Sequence, residues 1–388
     1  MATQTSDIND FTAAEFNAYI NDPRFNQTSQ LSLNPSLGLP SPFQISYADF
    51  GYRGDDEQIL LYFGPLMSSR FNSIAKDELA KKYRVRIIYP ERPGIGKTDF
   101  APAERLLSVW RQAIPALLNH LRVRHVTIAC HSAGTLFGLD FALCHPQYLS
   151  PTHPYIVIAG PWVQPSHSGM KIWNLASHLP TSLVSQTDRL ATFFFSTLAP
   201  LTGASAVLSG SVGQLFSQSE RKAGRSGADV DFEERIRGQI GKKIFSESVR
   251  GLGQEVQVLL RNGVAKDGWG DWGDFDASAP RLVEAIENDR QVGSSADEVA
   301  PQNAENLPRS EGRTLRMDVF FAEKDNMIGD AGGKGSTWFE SCWKDIDGVD
   351  FSSEVVRGSD HDSVWDLRWD VMERVLQNMA NMRDSDRG

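Results

Sequence analysis

The sequence predicts an α/β protein built on a mostly parallel, doubly wound sheet. Two observations carry that prediction. Short strand-like runs alternate with stretches of helical spacing, and the runs are apolar throughout, as strands covered on both faces are. A third sets the scale: 388 residues suffice for one large α/β domain with an insertion, or for two ordinary domains.

In chain order, residues 1–42 read as an N-terminal extension, polar and punctuated by proline, with one short helix at Ala13–Ile20. Regular alternation starts at Phe43. "FQISYADFGY" and "QILLYFG" are strand-like runs separated by the charged turn "RGDDE". "FNSIAKDELAKKY" has helical spacing, "VRIIYP" is a strand, and "AERLLSVWRQAIPALLNHL" is a helix in which Pro115 predicts an irregularity. The strand "HVTIAC", a helix through Leu143 and the strand "PYIVIAG" follow. Residues 165–276 break the pattern and read as helices and loops. Their apolar run "TFFFST" (192–197) and Trp269 and Trp272 suit either core packing or the lining of a pocket. Residues 277–312, rich in Ala, Ser, Glu, Asp and Asn, read as a low-complexity acidic insertion at the surface. The alternation then resumes with "LRMDVFFAEKD", a helix near "STWFESCW", the strand "DFSSEVVRG" and a closing helix from Ser363 to Met382. Residues 43–164 and 313–388 would thus form the core.

Composition narrows the partners. A net charge of −10 with no basic face argues against nucleic acid. The first thirty residues lack a basic start and an apolar centre, so neither a secretory signal nor a membrane anchor is expected there. Cys130, Cys144 and Cys342 are too few and too scattered for a disulfide framework or a zinc site. A reduced, cytoplasmic setting is the expectation. "GIGKT" is not a phosphate loop, because Glu91 stands where that motif needs its first glycine.

The chemistry centres on "CHSAG", Cys130 to Gly134, between a strand and a helix. This stretch alone fits a helix N-cap serine. It fits equally a nucleophile, Ser132, held out of a sharp strand-to-helix turn above helix N–H groups. Two later positions favour the second reading. Asp325 follows the strand "MDVFFAEK" and His361 follows "SSEVVRGSD", with Asp318 as a second candidate acid and Asp360 and Asp362 read as solvated charges. Ligands bind beyond the carboxyl ends of strands in such sheets, so all three residues would face one crevice. A serine hydroxyl needs an imidazole to take its proton, and a buried carboxylate fixes that imidazole's tautomer.

With these residues in that order, the chain resembles the α/β-hydrolase superfamily, in the group with a helical cap after the sixth strand. "YPERPGIGKTD" is similar to the family's Asp-Arg-Pro-Gly-x-Gly-x-Ser segment, with Glu91 for Asp, and "YFGPLMSSR" is similar to its His-Gly-x-Pro-Gly-Ser oxyanion loop. "GQEVQVLLRNG" with "GWGDWGDFD" resembles the family's exit from the cap, 165–276. The resemblance spans residues 43–382. It implies a cofactor-free and metal-free hydrolase of a small acyl compound, an ester, lactone or thioester, with Ser132 as nucleophile, His361 as base and Asp325 as acid. It further implies oxyanion donors at Ala133 and Leu66 in the Gly64 loop. His131 either touches substrate or makes a structural hydrogen bond. Two departures stand out: Cys130 replaces the first elbow glycine, and Phe63-Gly64-Pro65 replaces the family's histidine and inserts a residue with no N–H. An acyltransferase or lyase on the same fold, or a ligand-binding protein that has lost turnover, are the competing expectations.

Overall fold

The computed structural model describes residues 12–171, 224–261, 273–297 and 314–385. Eight strands form one sheet: β1 (Gln27–Leu31), β2 (Phe43–Gly51), β3 (Gln58–Phe63), β4 (Val85–Pro90), β5 (Thr127–Ser132), β6 (Tyr155–Pro161), β7 (Leu315–Lys324) and β8 (Val349–Asp360). Their spatial order is β1-β2-β4-β3-β5-β6-β7-β8. β2 pairs antiparallel with β1 and β4, and every other pairing is parallel. All seven residues of β6 are buried, which is why the central runs show no polar alternation.

Each face of the sheet carries its own core. On one side α3 (Leu106–His120) and α4 (Gly134–Cys144) pack Trp110, Ile114 and Phe137 against Ile128 and Ile158. On the other, α1 (Ala13–Ile20), α2 (Asp77–Lys82) and a C-terminal helix at Val371–Ser385 pack Phe16, Ala80, Val375 and Leu376 with Phe50 and Val157. The apolar stripe of α3 runs unbroken across Pro115. Proline there cannot donate to the Arg111 carbonyl one turn back, and His145 Nε2 donates to that oxygen instead at 2.7 Å.

Connectivity places the site. From β3 the chain moves outward to β4, then returns to lay β5 on the opposite side of β3. That reversal opens a crevice at the carboxyl ends of β3 and β5, where Phe63, the last residue of β3, pairs with Cys130, two residues before the end of β5.

Three sequence expectations need correction. Residues 27–31 are not part of a loose extension but the edge strand β1, anchored by Leu31 and, just before it, Phe25 in the core. Its polar sequence hid it, because an edge strand needs only every second residue buried. Residues 275–297 are helix, not surface loop. Phe275, Ala279, Leu282 and Ile286 recur at spacings of three or four and are buried, a stripe too sparse to stand out among the acidic residues between them. The closing helix begins at Val371, not Ser363, since the chain first loops through Asp366 and a left-handed Asp370. "TFFFST", Trp269, Trp272 and residues 298–312 of the expected insertion lie outside the described residues.

Between β6 and β7 the described chain adds α5 (Ala228–Phe245), α6 (Leu252–Leu260) and α7 (Phe275–Asp297). Two ion pairs tie α5 to the core, a buried one of Lys76 with Glu233 and a partly exposed one of Arg237 with Asp366. Among the described residues no helix is long and apolar enough to cross a membrane.

Candidate active site

Ser132 ends β5 with φ of 51°, a left-handed conformation that costs a non-glycine residue about 1–3 kcal/mol. Its surroundings enforce it. The pairing of β5 with β6 slips between His131 and Ser132, and α4 starts two residues on. A Cβ on Gly134 would lie 1.9 Å from the Phe63 carbonyl oxygen, and one on Gly138 would lie 2.3 Å from Cys130 Sγ. Glycine at those two places lets helix, elbow and β3 close up. Cys130, fully buried, fills the small space left beside Gly138, and burial pushes its thiol pKa far above the ordinary value.

The turn presents Ser132 Oγ to His361 Nε2 at 2.8 Å, and His361 Nδ1 lies 2.7 Å from Asp325 Oδ2. Asp325 Oδ1 accepts the N–H groups of Met327 and Ile328 at 2.8 and 2.9 Å. A carboxylate can only accept, so the ring proton sits on Nδ1 and leaves Nε2 to accept from the serine. Burial opposes charge on both partners, yet their mutual attraction prevails: the His361 pKa is raised and that of Asp325 is lowered. The three side chains are 6% exposed or less.

The other named residues divide. Ala133 and Leu66 line a small apolar cavity of about 10 Å³ beside Ser132, bordered by Trp162, Val256, Leu259 and Met327. Neither the Ala133 nor the Leu66 N–H makes a hydrogen bond to the described residues. Gly64 takes part through its carbonyl, which accepts from Arg92 Nη1 at 2.9 Å. His131 is not at the cavity. Strand alternation turns it to the opposite face, where Nε2 donates to the His361 carbonyl at 2.8 Å. Burial and the neighbouring His361 push its pKa down to about 3, so it stays neutral as a structural prop for the histidine loop. Asp318 accepts from Tyr155 and Arg316, remote from Ser132 on the strand.

Two buried arginines and their acidic partners escaped sequence reasoning. Arg70 bonds Glu91 and Glu247, and Arg92 bonds Glu255 of α6. Each joins residues more than a hundred positions apart in one of its contacts, so no local spacing could reveal it. Among the described residues no group of three or more His, Cys, Asp or Glu is placed to hold a metal ion.

No family model matches the sequence, and no curated protein does. Solved structures do match. A carboxylesterase from the thaumarchaeon Nitrososphaera gargenis superposes with a TM-score of 0.52 at 15% identity, over 92% of this chain and 100% of its own. A hydrolase from Pseudomonas aeruginosa gives 0.50 at 16%, over 93% and 98% of the two chains. A membrane phospholipase A described as a bacterial virulence factor gives 0.50 at 11%, over 97% and 92%. Sheet order, crossover and whole-length likeness agree: this chain has the α/β-hydrolase fold.

Proposed function

We propose that the protein is a serine hydrolase acting on an ester, lactone or thioester with a small apolar acyl group. One observation carries the reading: a strained serine, hydrogen-bonded through histidine to a buried aspartate, opens onto an apolar cavity. Ser132 Oγ adds to the acyl carbon while its proton passes to His361 Nε2. The oxyanion forms beside the N–H groups of Ala133 and Leu66, which make no bond to the described residues. His361 then protonates the leaving group, and a water molecule, activated by the same nitrogen, releases the acid and restores the serine. The aliphatic lining favours an uncharged chain, since a buried charge there would find no partner among the side chains of Leu66, Val256, Leu259 and Met327.

The test is a panel of p-nitrophenyl esters, aliphatic lactones and acyl thioesters of increasing length, assayed with the native protein and Ser132→Ala. Turnover should favour short chains and fall on the order of 10⁵-fold in the variant. Equal activity in the two proteins would contradict the assignment. Product partition with an added alcohol acceptor separates hydrolysis from acyl transfer.

A further inference from the structure

The loop after β3 poses a question that the family resemblance leaves open: with Pro65 in it, what fixes an oxyanion donor there? The answer lies outside the loop. Arg92, 1% exposed, reaches the loop from beyond β4. Its Nη1 donates to the Gly64 carbonyl at 2.9 Å, and its Nη2 donates both to the Pro65 carbonyl and to Glu255 Oε2, the latter at 2.9 Å. The same Glu255 oxygen accepts the Met67 N–H at 3.2 Å. Glu255 is fully buried and sits on α6, the helix that brings Val256 and Leu259 to the cavity. The Arg92 guanidinium also stacks over Phe137 of α4, 4.8 Å from the ring centre, so it is held from both sides.

Geometry turns this clamp into an aiming device. The peptide between Pro65 and Leu66 is trans, because the one cis bond among the described residues joins Ser41 and Pro42. In a trans peptide the C=O and N–H point in opposite directions. Drawing the Pro65 carbonyl onto Arg92 therefore turns the Leu66 N–H away from Arg92, and that N–H makes no bond to the described residues although Leu66 lines the Ser132 cavity. The flanking carbonyl of Gly64 and N–H of Met67 are fixed by the same pair of side chains.

We propose that Arg92 and Glu255 are positioning residues for the oxyanion donor. They lock the peptide planes around Pro65 so that Leu66 N–H replaces the donor proline cannot supply, and they make that alignment depend on α6. This rests on the hydrolase reading above, but goes beyond it in assigning a role to a pair that does not touch substrate.

Arg92→Lys keeps the charge but cannot reach two carbonyls and a carboxylate at once. Glu255→Gln keeps an acceptor for Met67 N–H and loses the charge that holds Arg92. With p-nitrophenyl butyrate, each folded variant should lose kcat by about 10- to 100-fold with KM within about threefold of native, the scale expected for a misaimed donor. Affinity for an alkyl trifluoromethyl ketone, which forms an oxyanion on the serine, should fall in parallel. Affinity for the matching methyl ketone should hold. Melting temperatures identify the folded variants, and Glu255→Gln carries the test if Arg92→Lys does not fold. Folded variants with native kcat, or with equal loss of both ketones, overturn the proposal. Fluorophosphonate labelling of the native protein is run first: an unlabelled Ser132 overturns the hydrolase reading itself, whereas labelled native protein with unaffected variants overturns only the positioning role.

Discussion

The turn at Ser132 and the loop after β3 face one cavity, yet they are held in different ways. Ser132 is fixed by its immediate neighbours: a slipped strand pairing, the start of α4 and glycines at 134 and 138 that let backbone approach backbone. The loop Gly64–Met67 has no such local frame. It contains a proline, a left-handed Met67 with φ of 59°, and carbonyls that point into protein rather than along a ladder. Side chains from residues 92 and 255 hold it. Strain at the elbow is stored in the chain itself, whereas order in the loop is borrowed from a buried ion pair and from an inserted helix. Buried pairs contribute little net stability on average, so the pair's value here lies in geometry.

If that contrast is sound, the two regions should fail differently. The largest effect belongs to the elbow's hydrogen-bonded partners and is read by pH. His361 must be neutral to accept the serine proton, and its attraction to Asp325 raises its pKa above the ordinary 6.5 despite burial. The sign follows: kcat/KM should fall about tenfold for each pH unit below a midpoint lying above 6.5 and level off on the alkaline side. A profile flat across that midpoint would break the link between His361 and chemistry.

Next comes Gly134→Ala. Its methyl group would meet the Phe63 carbonyl at 1.9 Å, backbone that cannot swing aside, so the elbow and β3 must separate. The expected cost is about 1–3 kcal/mol in denaturant unfolding, with a fall in kcat of about 10-fold or more. Native stability and activity would mean that the elbow is not held by close backbone approach.

The smallest effect is expected at Pro65→Gly. Were the hole short of a donor, glycine would restore an N–H and raise turnover. Because Leu66 lines the cavity and its N–H makes no bond to the described residues, kcat should stay within about threefold of native or decline as the loop loosens. A rise of about 10-fold or more would show that residue 65, and not Leu66, is the position that matters.

The same contrast explains what was legible in the sequence. Strands β2 to β7 and the helix behind Ser132 declare themselves through largely apolar runs and turns, β8 through its β-rich stretch, and Ser132, Asp325 and His361 each lie at or just past the end of one of these strands. Order along the chain was enough to bring them together, since a parallel sheet lines up the carboxyl ends of its strands. Elements with weak patterns were missed. β1 is a half-buried edge strand, and α7 spends only Phe275, Ala279, Leu282 and Ile286 on the core. His131 was left with two readings because strand periodicity fixes its side only once the boundary of β5 is known, and that boundary lies two residues later than Cys130. Arg92 and Glu255 each lie in a stretch that carries the family resemblance, but nothing in the sequence signals their pairing, which depends on a fold that crosses 163 positions.

Activation of Ser132 as a nucleophile is read by intact-mass measurement after treatment with a fluorophosphonate, followed by peptide mapping. One adduct per chain is expected, located on Ser132, forming faster as pH rises through the His361 pKa and absent from Ser132→Ala. A native protein that gains no adduct, or gains it on another residue, would contradict it.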